Sequence, residues 1–315
     1  MALKEFFETI DDEVSAVLDT NFEIEIIETK KVPSFDDSDI TFDNFDSKKK
    51  KCKRLESCVL YVDIRESVKL SASKKPKTLA KVYSLFVRSM IKCARYYGGH
   101  VRNIIGDRVM VVFDQDGCFE SAVDTAVLMN SVCKHILNKR IKSTDFKCGI
   151  GIDYGKMLIT KGGAIRQGAE KEFYRGLVWL GKPANIASRL TDIAHKTESD
   201  VIPMVYEGQH LPLTDKWIWL RRTYGDFLDD LKTTHSRILE HKEDYFNTFF
   251  KTTVTNTKSY KPILMTQAVY DGYKKARPES NAVKNSYYTK QDIAVKDYEG
   301  VVYGGDVFKT EVEDI

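Results

Sequence analysis

Apolar and polar positions follow two periods along this chain, and these periods predict its elements. Over residues 1–22 the apolar positions recur every three or four residues, which predicts a helix, and a strand is predicted at 22–27. From residue 58 the pattern predicts a strand at 58–63, a helix at 76–97, a strand–turn–strand at 100–113, a helix at 118–140, strands at 146–153 and 156–160, and a helix from Asn185 to His195. The central elements therefore follow the order β-α-β-β-α-β.

This order is the ferredoxin-like arrangement of an α+β domain, which palm-type nucleotidyl enzymes share. The turn of its predicted hairpin contains Gly106-Asp107. A further strand–helix unit is predicted at 262–276, and a strand pair near 292–309 completes the pattern. We therefore predict a catalytic domain at 58–309, followed by a short tail at 310–315.

A switch of charge precedes the predicted domain. Residues 33–47 are rich in aspartate, and a basic run of Lys48–Lys51, Lys53 and Arg54 follows. Such a switch is typical of a solvated linker, so residues 1–57 are predicted to form an N-terminal helix and a charged linker. The alternative is that the basic run contacts a partner or the phosphates of a substrate.

Residues 201–260 do not share the alternation of the rest of the domain. The stretch Trp217–Arg222 is compatible with a strand, and residues 227–250 are compatible with a helix that has a charged face. We interpret the whole segment as an insertion packed onto one side of the domain. An irregular extension of the core is the alternative.

The composition is that of a globular intracellular protein. Of the 315 residues 42% are apolar, which can supply a core, and the net charge is only +3. This balance favours neither nucleic acid nor an anionic membrane surface as a partner. The N-terminus lacks the apolar segment of a signal peptide, and the six cysteines are scattered without the spacing of zinc ligands. We therefore expect a cytoplasmic protein with reduced thiols and no contact with a membrane.

Two aspartates stand where apolar runs end. Asp63 follows Val59–Val62, and Asp107 follows Ile104-Ile105-Gly106. Two carboxylates at strand edges can share divalent ions, and a two-metal site is a common way to drive in-line displacement at phosphorus. Nucleotide chemistry is therefore the first hypothesis. The alternative is a pair of ordinary strand-end and turn aspartates.

Five motifs, taken in order, resemble the class III nucleotidyl cyclases, the family of adenylate and guanylate cyclases. They are Tyr61-Val62-Asp63-Ile64, Ile104-Ile105-Gly106-Asp107, Gly151-Ile152-Asp153-Tyr154-Gly155, the stretch from Gly181 to Leu190, and Val295-Lys296 leading to Val302-Tyr303. The resemblance covers about residues 58–200 and 262–309. It implies a palm-type class III cyclase catalytic domain with an N-terminal extension and an inserted segment.

The resemblance implies a role for each matched residue. Asp63, Asp107 and the carbonyl group of Ile64 would bind two Mg²⁺ or Mn²⁺ ions. Asn185 and Arg189 lie four residues apart, hence on one helix face, and would position the ribose and neutralise charge on the α-phosphoryl oxygens.

Lys296 would hold the β- and γ-phosphates. The resemblance also implies a head-to-tail homodimer with composite active sites, in which the metal aspartates and the Asn185/Arg189 pair of one site come from opposite subunits.

The two positions at which the family chiefly reads its base are unusual in this chain. They hold Asn103 and Val178, whereas a Lys/Asp pair suits adenine and a Glu/Cys-type pair suits guanine. The amide of Asn103 can pair with the edge of uracil or, turned over, with that of cytosine, whereas Val178 offers only volume. Tyr61 and Trp179 are candidates to narrow the pocket or to stack on the base, with a core position as the alternative for Trp179.

This departure, together with the stretch from residue 174 to 185, resembles the pyrimidine cyclases of the bacterial anti-phage system called Pycsar. Such enzymes convert UTP or CTP to cyclic UMP or cyclic CMP, which activates a separate effector. UTP is slightly preferred here, although Asn103 serves either base. A purine cyclase with an atypical pocket and a catalytically silent nucleotide-binding or dimerisation module are the alternatives.

One departure from the family lies beside the predicted phosphate site. Relatives usually place a glycine and a small hydroxyl residue after Asp-Ile, whereas this chain has Arg65-Glu66-Ser67-Val68. A carboxylate beside a triphosphate is repulsive unless it points away. The position of Glu66 therefore bears directly on activity.

Overall fold

The computed structural model describes residues 2–45, 47–141, 146–162, 164–166, 169–170, 176–233 and 239–313. Its helices are α1 Leu3–Leu18, α2 Ser67–Ser73, α3 Pro76–Tyr96, α4 Cys118–Ser131, α5 Asn138–Arg140, α6 Lys182–Ile193, α7 Tyr224–Asp229, α8 Gln267–Ala276 and α9 Asn281–Lys284. A π-helical segment, Val132–Leu137, joins α4 to α5, and a 3₁₀ turn lies at Thr310–Val312.

Seventeen strands lie between and after these helices in the described part of the chain. They are β1 Glu23–Thr29, β2 Asp43–Asn44, β3 Lys49–Ile64, β4 His100–Ile105, β5 Arg108–Val112, β6 Cys148–Lys161, β7 Ala164–Arg166, β8 Ala169–Glu170, β9 Leu177–Leu180, β10 Thr197–Leu211, β11 Lys216–Thr223, β12 Leu231–Thr233, β13 Leu239–His241, β14 Phe246–Ser259, β15 Ile263–Thr266, β16 Thr289–Gln291 and β17 Val302–Gly305. The predicted β-α-β-β-α-β order is confirmed. The strands predicted at 146–153 and 156–160 are one continuous strand, β6.

The chain forms two compact units, one of residues 1–196 and 260–315 and one of residues 197–259. The centre of the first is a sheet in which β3 pairs antiparallel with both β5 and β6. Helices α3, α4 and α8 pack on one face, around buried residues such as Phe86 and Val111. Helix α6 contributes Ala184 and Ala187 to the opposite face, where they meet Val59 and Met157.

Two glycines let α6 lie directly on the sheet. Gly149 and Gly151 alternate along β6, so both face the same side. A Cβ atom at Gly151 would collide with the backbone of Ala187 and Thr191, and one at Gly149 would collide with the carbonyl oxygen of Ala194. Side chains at these positions would therefore push away the helix that carries Asn185 and Arg189.

The charged segment before residue 58 is not a solvated linker, so that prediction is wrong for the part that the structure describes. The basic run begins the long strand β3, which pairs in parallel with β1. The Lys53 ammonium lies 2.7 Å from Asp37 and 3.0 Å from Asp39, and the Lys50 ammonium lies 2.8 Å from Asp43. The acidic and basic halves of the switch therefore neutralise each other within the fold, because each supplies the counter-charge that the other needs.

The second unit, Thr197–Ser259, spans the segment interpreted as an insertion. It is built on a three-stranded antiparallel sheet in the order β11-β10-β14. The strand predicted at Trp217–Arg222 is confirmed as β11, but the helix predicted at 227–250 is wrong. The short helix α7 ends at Asp229, and β12, β13 and β14 follow among the described residues.

The core of this unit is small and aromatic. Phe227 packs against Phe249 and His241, with ring centroids 4.8 and 5.9 Å apart. The buried carboxylate of Glu207 is paired with the Arg222 guanidinium at 3.4 Å. On the other side of the sheet, Trp217 and Trp219 stack at a centroid distance of 6.1 Å. In the described part of the whole chain, no helix combines the length and the apolar character needed to cross a bilayer.

Candidate active site

The two predicted metal aspartates lie at the same end of neighbouring strands. Val62 of β3 pairs with Val109 of β5, so Asp63 and Arg108 come next along the two strands. Ile105 and Arg108 close the β4–β5 hairpin, and its turn consists of Gly106 and Asp107. Gly106 has φ +61°, a left-handed conformation that costs glycine nothing. The hairpin thus carries Asp107 back towards Asp63.

The carboxylate of Asp63 has two different sides. Its Oδ2 atom accepts hydrogen bonds from Nη2 and Nε of Arg108, at 2.8 and 3.3 Å. Its Oδ1 atom is buried and accepts none, and the Oδ2 atom of Asp107 is in the same state. With both acids ionised, each aspartate therefore keeps one buried oxygen without a hydrogen-bond donor.

These unpartnered oxygens fit a divalent cation. Burial, followed by the nearby charge of Asp63, raises the pKa of Asp107 to about 6. Carboxylate and carbonyl oxygens are the ligands that Mg²⁺ and Mn²⁺ prefer. Among the described residues, no cluster of three or more His, Cys, Asp or Glu side chains is placed to hold a metal. A cation held by the two aspartates and the Ile64 carbonyl at the end of β3 would therefore need further oxygen ligands from elsewhere.

Glu66 points away from this pair. Its backbone adopts a left-handed conformation with φ +56°, which brings its carboxylate to 2.8 Å from the Lys69 ammonium. The next residue, Ser67, hydrogen bonds to Asp107 and lowers its pKa, against the larger effect of burial. The loop therefore supplies the hydroxyl group that the family pattern has here, while its extra carboxylate faces solvent.

Helix α6 places Asn185 and Arg189 in a separate cleft. Both residues line a cavity of about 1340 Å³, together with Lys156, Lys182 and Asp297. Neither Asp63 nor Asp107 lines this cavity. Within one chain, the predicted metal pair therefore does not share this cavity with Asn185 and Arg189.

Arg189 is held by the loop that follows Val295. Its guanidinium donates to the backbone carbonyl of Lys296 and lies 2.6 Å from the carboxylate of Asp297. The predicted strand at Val295-Lys296 is wrong: Val295 forms only an isolated bridge with Tyr298, and Asp297 has φ +62°. The tight turn leaves the side chain of Lys296 exposed at the border of the cleft.

The predicted base-reading residues lie on both faces of the sheet. Tyr61 pairs with Met110, and Met110 pairs with Asn103, so these three side chains share the face on which α6 packs. Asn103 is exposed there, and burial raises the pKa of Tyr61. Val178 pairs with Thr160 on the opposite face, whereas its neighbour Trp179 packs against the core near Tyr61. One chain therefore brings Asn103 and Tyr61 to one face and Val178 to the other.

Sequence reasoning missed several residues of these two sites. Arg108 directly follows Asp107, and its place opposite Asp63 becomes visible only once the strands are in register. Lys156 and Lys182 add positive charge to the cleft, and Asp297 pairs with Arg189. The residues Tyr174 and Arg175, which contributed to the resemblance with pyrimidine cyclases, lie outside the described residues.

Comparisons with known proteins find matches among nucleotidyl cyclases. A family model described as "Adenylate and Guanylate cyclase catalytic domain" matches residues 50–211. A protein named uridylate cyclase from Gulbenkiania mobilis is 28% identical over 222 residues, which cover 64% of this chain and 79% of that protein. A second uridylate cyclase, from Burkholderia cepacia, is 31% identical over 178 residues and covers 55% of this chain and 72% of that protein.

Solved cyclase structures are also similar. The adenylyl cyclase CyaB from P. aeruginosa aligns with a TM-score of 0.48 at 17% identity, over 80% of this chain and 94% of that chain. The guanylyl cyclase Cya2 aligns with a TM-score of 0.48 at 12% identity, over 82% of this chain and 94% of that chain.

Proposed function

Because the chain belongs to the adenylate and guanylate cyclase catalytic domain family, we propose that it is a nucleotidyl cyclase whose substrate is UTP. In this reaction the ribose 3′-oxygen attacks the α-phosphorus and its proton leaves. The bond to the pyrophosphate then breaks, which yields 3′,5′-cyclic UMP. The relatives named uridylate cyclase support UTP over CTP.

The observation that carries the proposal is the pair of buried carboxylates with unpartnered oxygens, Asp63 Oδ1 and Asp107 Oδ2. Buried polar atoms are normally satisfied, and two neighbouring carboxylates that each have an oxygen without a donor suit a shared divalent cation. Two Mg²⁺ or Mn²⁺ ions bound there would activate the 3′-hydroxyl group and neutralise the triphosphate. Asp63, Asp107 and the Ile64 carbonyl would hold them.

The second half of the site is the cleft beside α6. Asn185 would orient the ribose, and Arg189 would stabilise the charge that develops on the α-phosphoryl oxygens. Lys296 would bind the β- and γ-phosphates from the border of the cleft. Because this half and the metal half are separate within one chain, we propose a head-to-tail homodimer with two composite sites. At about 1340 Å³ the cleft is large enough for a nucleotide, since small-molecule pockets typically measure about 300–1,000 Å³.

The base would be read by Asn103, with Tyr61 on the same sheet face. The Asn103 amide nitrogen donates to O4 of uracil while its oxygen accepts from N3–H, which satisfies both polar groups of that edge. The aromatic ring of Tyr61 would limit the pocket to a single-ring base. Val178 lies on the opposite face of the sheet in this chain, so its position does not support a contact with a base read by Asn103 of the same chain.

The likeness to pyrimidine cyclases extends the proposal to physiology. Cyclic UMP would serve as a second messenger in antiviral defence and would act on a separate effector in the cytoplasm. No nucleic acid or membrane partner is needed for this role. Lys50 and Lys53 of the basic run at 48–54 are paired with Asp43 and Asp37, so the proposal assigns this run no polyanion ligand.

One incubation tests the proposal. Purified protein is mixed with Mn²⁺ and each of ATP, GTP, CTP and UTP, and the products are identified by mass spectrometry. We expect cyclic UMP from UTP, and its loss in Asp63→Ala and Asp107→Ala. The control is Asp271→Ala, which removes an exposed carboxylate of α8. If cyclic CMP is the only product, the substrate is CTP instead of UTP. A cyclic purine nucleotide would indicate an adenylate or guanylate cyclase. If no nucleotide gives a product, the chain is a catalytically silent nucleotide-binding or dimerisation module.

A further inference from the structure

Arg108 occupies a place between the two functional halves of the chain. All three nitrogens of its guanidinium have partners: Nε and Nη2 donate to Asp63 Oδ2, and Nη1 donates to Ser188 Oγ at 2.8 Å. Nη2 also donates to Asp192 Oδ1. Ser188 and Asp192 lie four residues apart on α6 and therefore on one face of it. One side chain thus ties Asp63 to the helix beside it.

These contacts decide which oxygen of Asp63 is free. Arg108 binds Oδ2, and the Arg65 guanidinium lies 3.8 Å from the same atom. With both cations on one side, Oδ1 remains buried and unpartnered. The carboxylate is therefore held in one orientation by a planar group that is itself fixed at two points on α6.

We propose that Arg108 is a positioning residue for the metal site: it fixes the Asp63 carboxylate so that Oδ1 is the oxygen offered to a divalent cation shared with Asp107. This inference rests on the proposed cyclase function. It adds a residue outside the predicted ligand set, and it assigns Ser188 and Asp192 as the anchors of that residue. Groups that hold a metal ligand from behind commonly change metal affinity or activity 10- to 100-fold when replaced.

Two effects of Arg108 on a cation oppose each other. Its positive charge repels a divalent ion, so its removal would strengthen binding on electrostatic grounds. Its fork of hydrogen bonds orients the ligand, so its removal would weaken binding. Because Asp63 is largely buried and both of its Oδ2 donors come from one rigid guanidinium, we expect orientation to dominate.

The first test measures metal binding directly. Mn²⁺ bound to the protein is quantified by electron paramagnetic resonance, with 3′-deoxy-UTP as a nucleotide that cannot cyclise. Arg108→Met should weaken Mn²⁺ binding about 10- to 100-fold. Arg108→Lys keeps the charge but cannot reach Asp63, Ser188 and Asp192 together, so it should also weaken binding. Arg95→Met removes an exposed arginine of α3 and is the matched control.

A second variant covers the case in which replacement of Arg108 prevents folding. Ser188→Ala with Asp192→Ala keeps Arg108 and its charge but removes both anchors on α6. Mn²⁺ binding should fall by a smaller factor, about 2- to 10-fold, with little change in the melting temperature. Unchanged or tighter Mn²⁺ binding in every folded variant would overturn the role of Arg108 while the proposed function stands. Absence of Mn²⁺ binding in the parent protein would instead overturn the metal site itself.

A mixed dimer separates positioning of Asp63 from a general effect on the fold. One chain carries Asp63→Ala and the other carries Arg189→Ala, so one intact composite site remains. Arg108→Met placed in the chain that supplies Asp63 should lower turnover of that site about 10- to 100-fold. The same change in the chain that supplies Arg189 should leave turnover close to the starting value. Equal losses, or a loss only in the second arrangement, would show that Arg108 acts through α6 and would overturn the inference.

Discussion

Replacement of Asp153 would measure how much a buried carboxylate destabilises this fold. Asp153 lies on β6, is only 6% exposed, and lines the cleft that contains Asn185 and Arg189. Thr266 Oγ1 donates to its Oδ1 at 2.7 Å. Burial nevertheless dominates and raises its pKa from the usual 3.8 to about 6. The charged form is therefore disfavoured in the folded protein.

The expected effect of Asp153→Asn follows from that difference. A rise from 3.8 to about 6 corresponds to about 3 kcal/mol, at 1.36 kcal/mol per pKa unit. Below pH 3.8 Asp153 is protonated in both the folded and the unfolded chain, and its contribution to stability is fully present. As the pH rises through about 6, this contribution is lost, because the unfolded chain ionises Asp153 more easily than the folded protein does. Asparagine lacks the charge but brings an amide nitrogen that needs an acceptor, so we expect a gain of about 1–3 kcal/mol at pH 7.5. At pH 4 the gain should be close to zero.

Urea denaturation followed by circular dichroism, at pH 4.5, 6 and 7.5, tests this prediction. The gain should grow between pH 4.5 and 7.5, and Asp271→Asn, at an exposed position of α8, should show no comparable trend. A gain of equal size at all three pH values would mean that packing rather than ionisation is responsible. A loss of stability at pH 7.5 would refute the argument, because it would show that the carboxylate is stabilised where it lies.

Three further predictions concern the two halves of the proposed site. Equal amounts of Asp63→Ala and Arg189→Ala chains should regain about a quarter of the parent activity after subunit exchange, because half of the dimers are mixed and each mixed dimer has one intact site of two. Continued inactivity despite demonstrated exchange would contradict composite sites. Asn103→Ala should lower kcat/KM for UTP about 5- to 150-fold, because polar atoms of the base lose their partner. If the preference among the four nucleotides is unchanged, Asn103 does not read the base. Asp297→Asn removes the negative charge that pairs with Arg189 in a partly exposed ion pair, so it should lower the KM for UTP about 1.5- to 5-fold in a steady-state assay. A higher KM would show instead that Asp297 supports substrate binding.

The core of the fold and the proximity of Asp63 to Asp107 could be predicted from sequence because their signals are local. Strand β3 ends in an apolar run at Asp63, and the β4–β5 hairpin is marked by Gly106-Asp107, a turn that needs a left-handed residue. Helical spacing alone puts Asn185 and Arg189 on one face. Each of these inferences uses residues within a few positions of one another.

The errors came from partners that are distant in the chain. The basic run at 48–54 looks like a solvated linker until β1 and the aspartates at 37, 39 and 43 are placed beside it. Residues 246–259 have no alternation of apolar positions, yet they form β14 because they pair with β10 along its whole length. The many threonines in that stretch are a β-forming signal that helical spacing of the phenylalanines obscured. Arg108 was missed for the same reason, since its partners lie 45 and 84 residues away.

Backbone conformation is the other quantity that residue identity does not reveal. Glu66 and Asp297 both have left-handed backbones, with φ +56° and +62°, where glycine alone is free of steric cost. The sequence shows two carboxylates beside proposed phosphate sites, and repulsion would be the natural inference. In the structure the left-handed turn directs Glu66 to Lys69, away from Asp107, and directs Asp297 to Arg189. Of the two carboxylates, only that of Asp297 is therefore paired with a residue proposed to bind phosphate, so under the proposed function only Asp297 would be displaced when substrate enters.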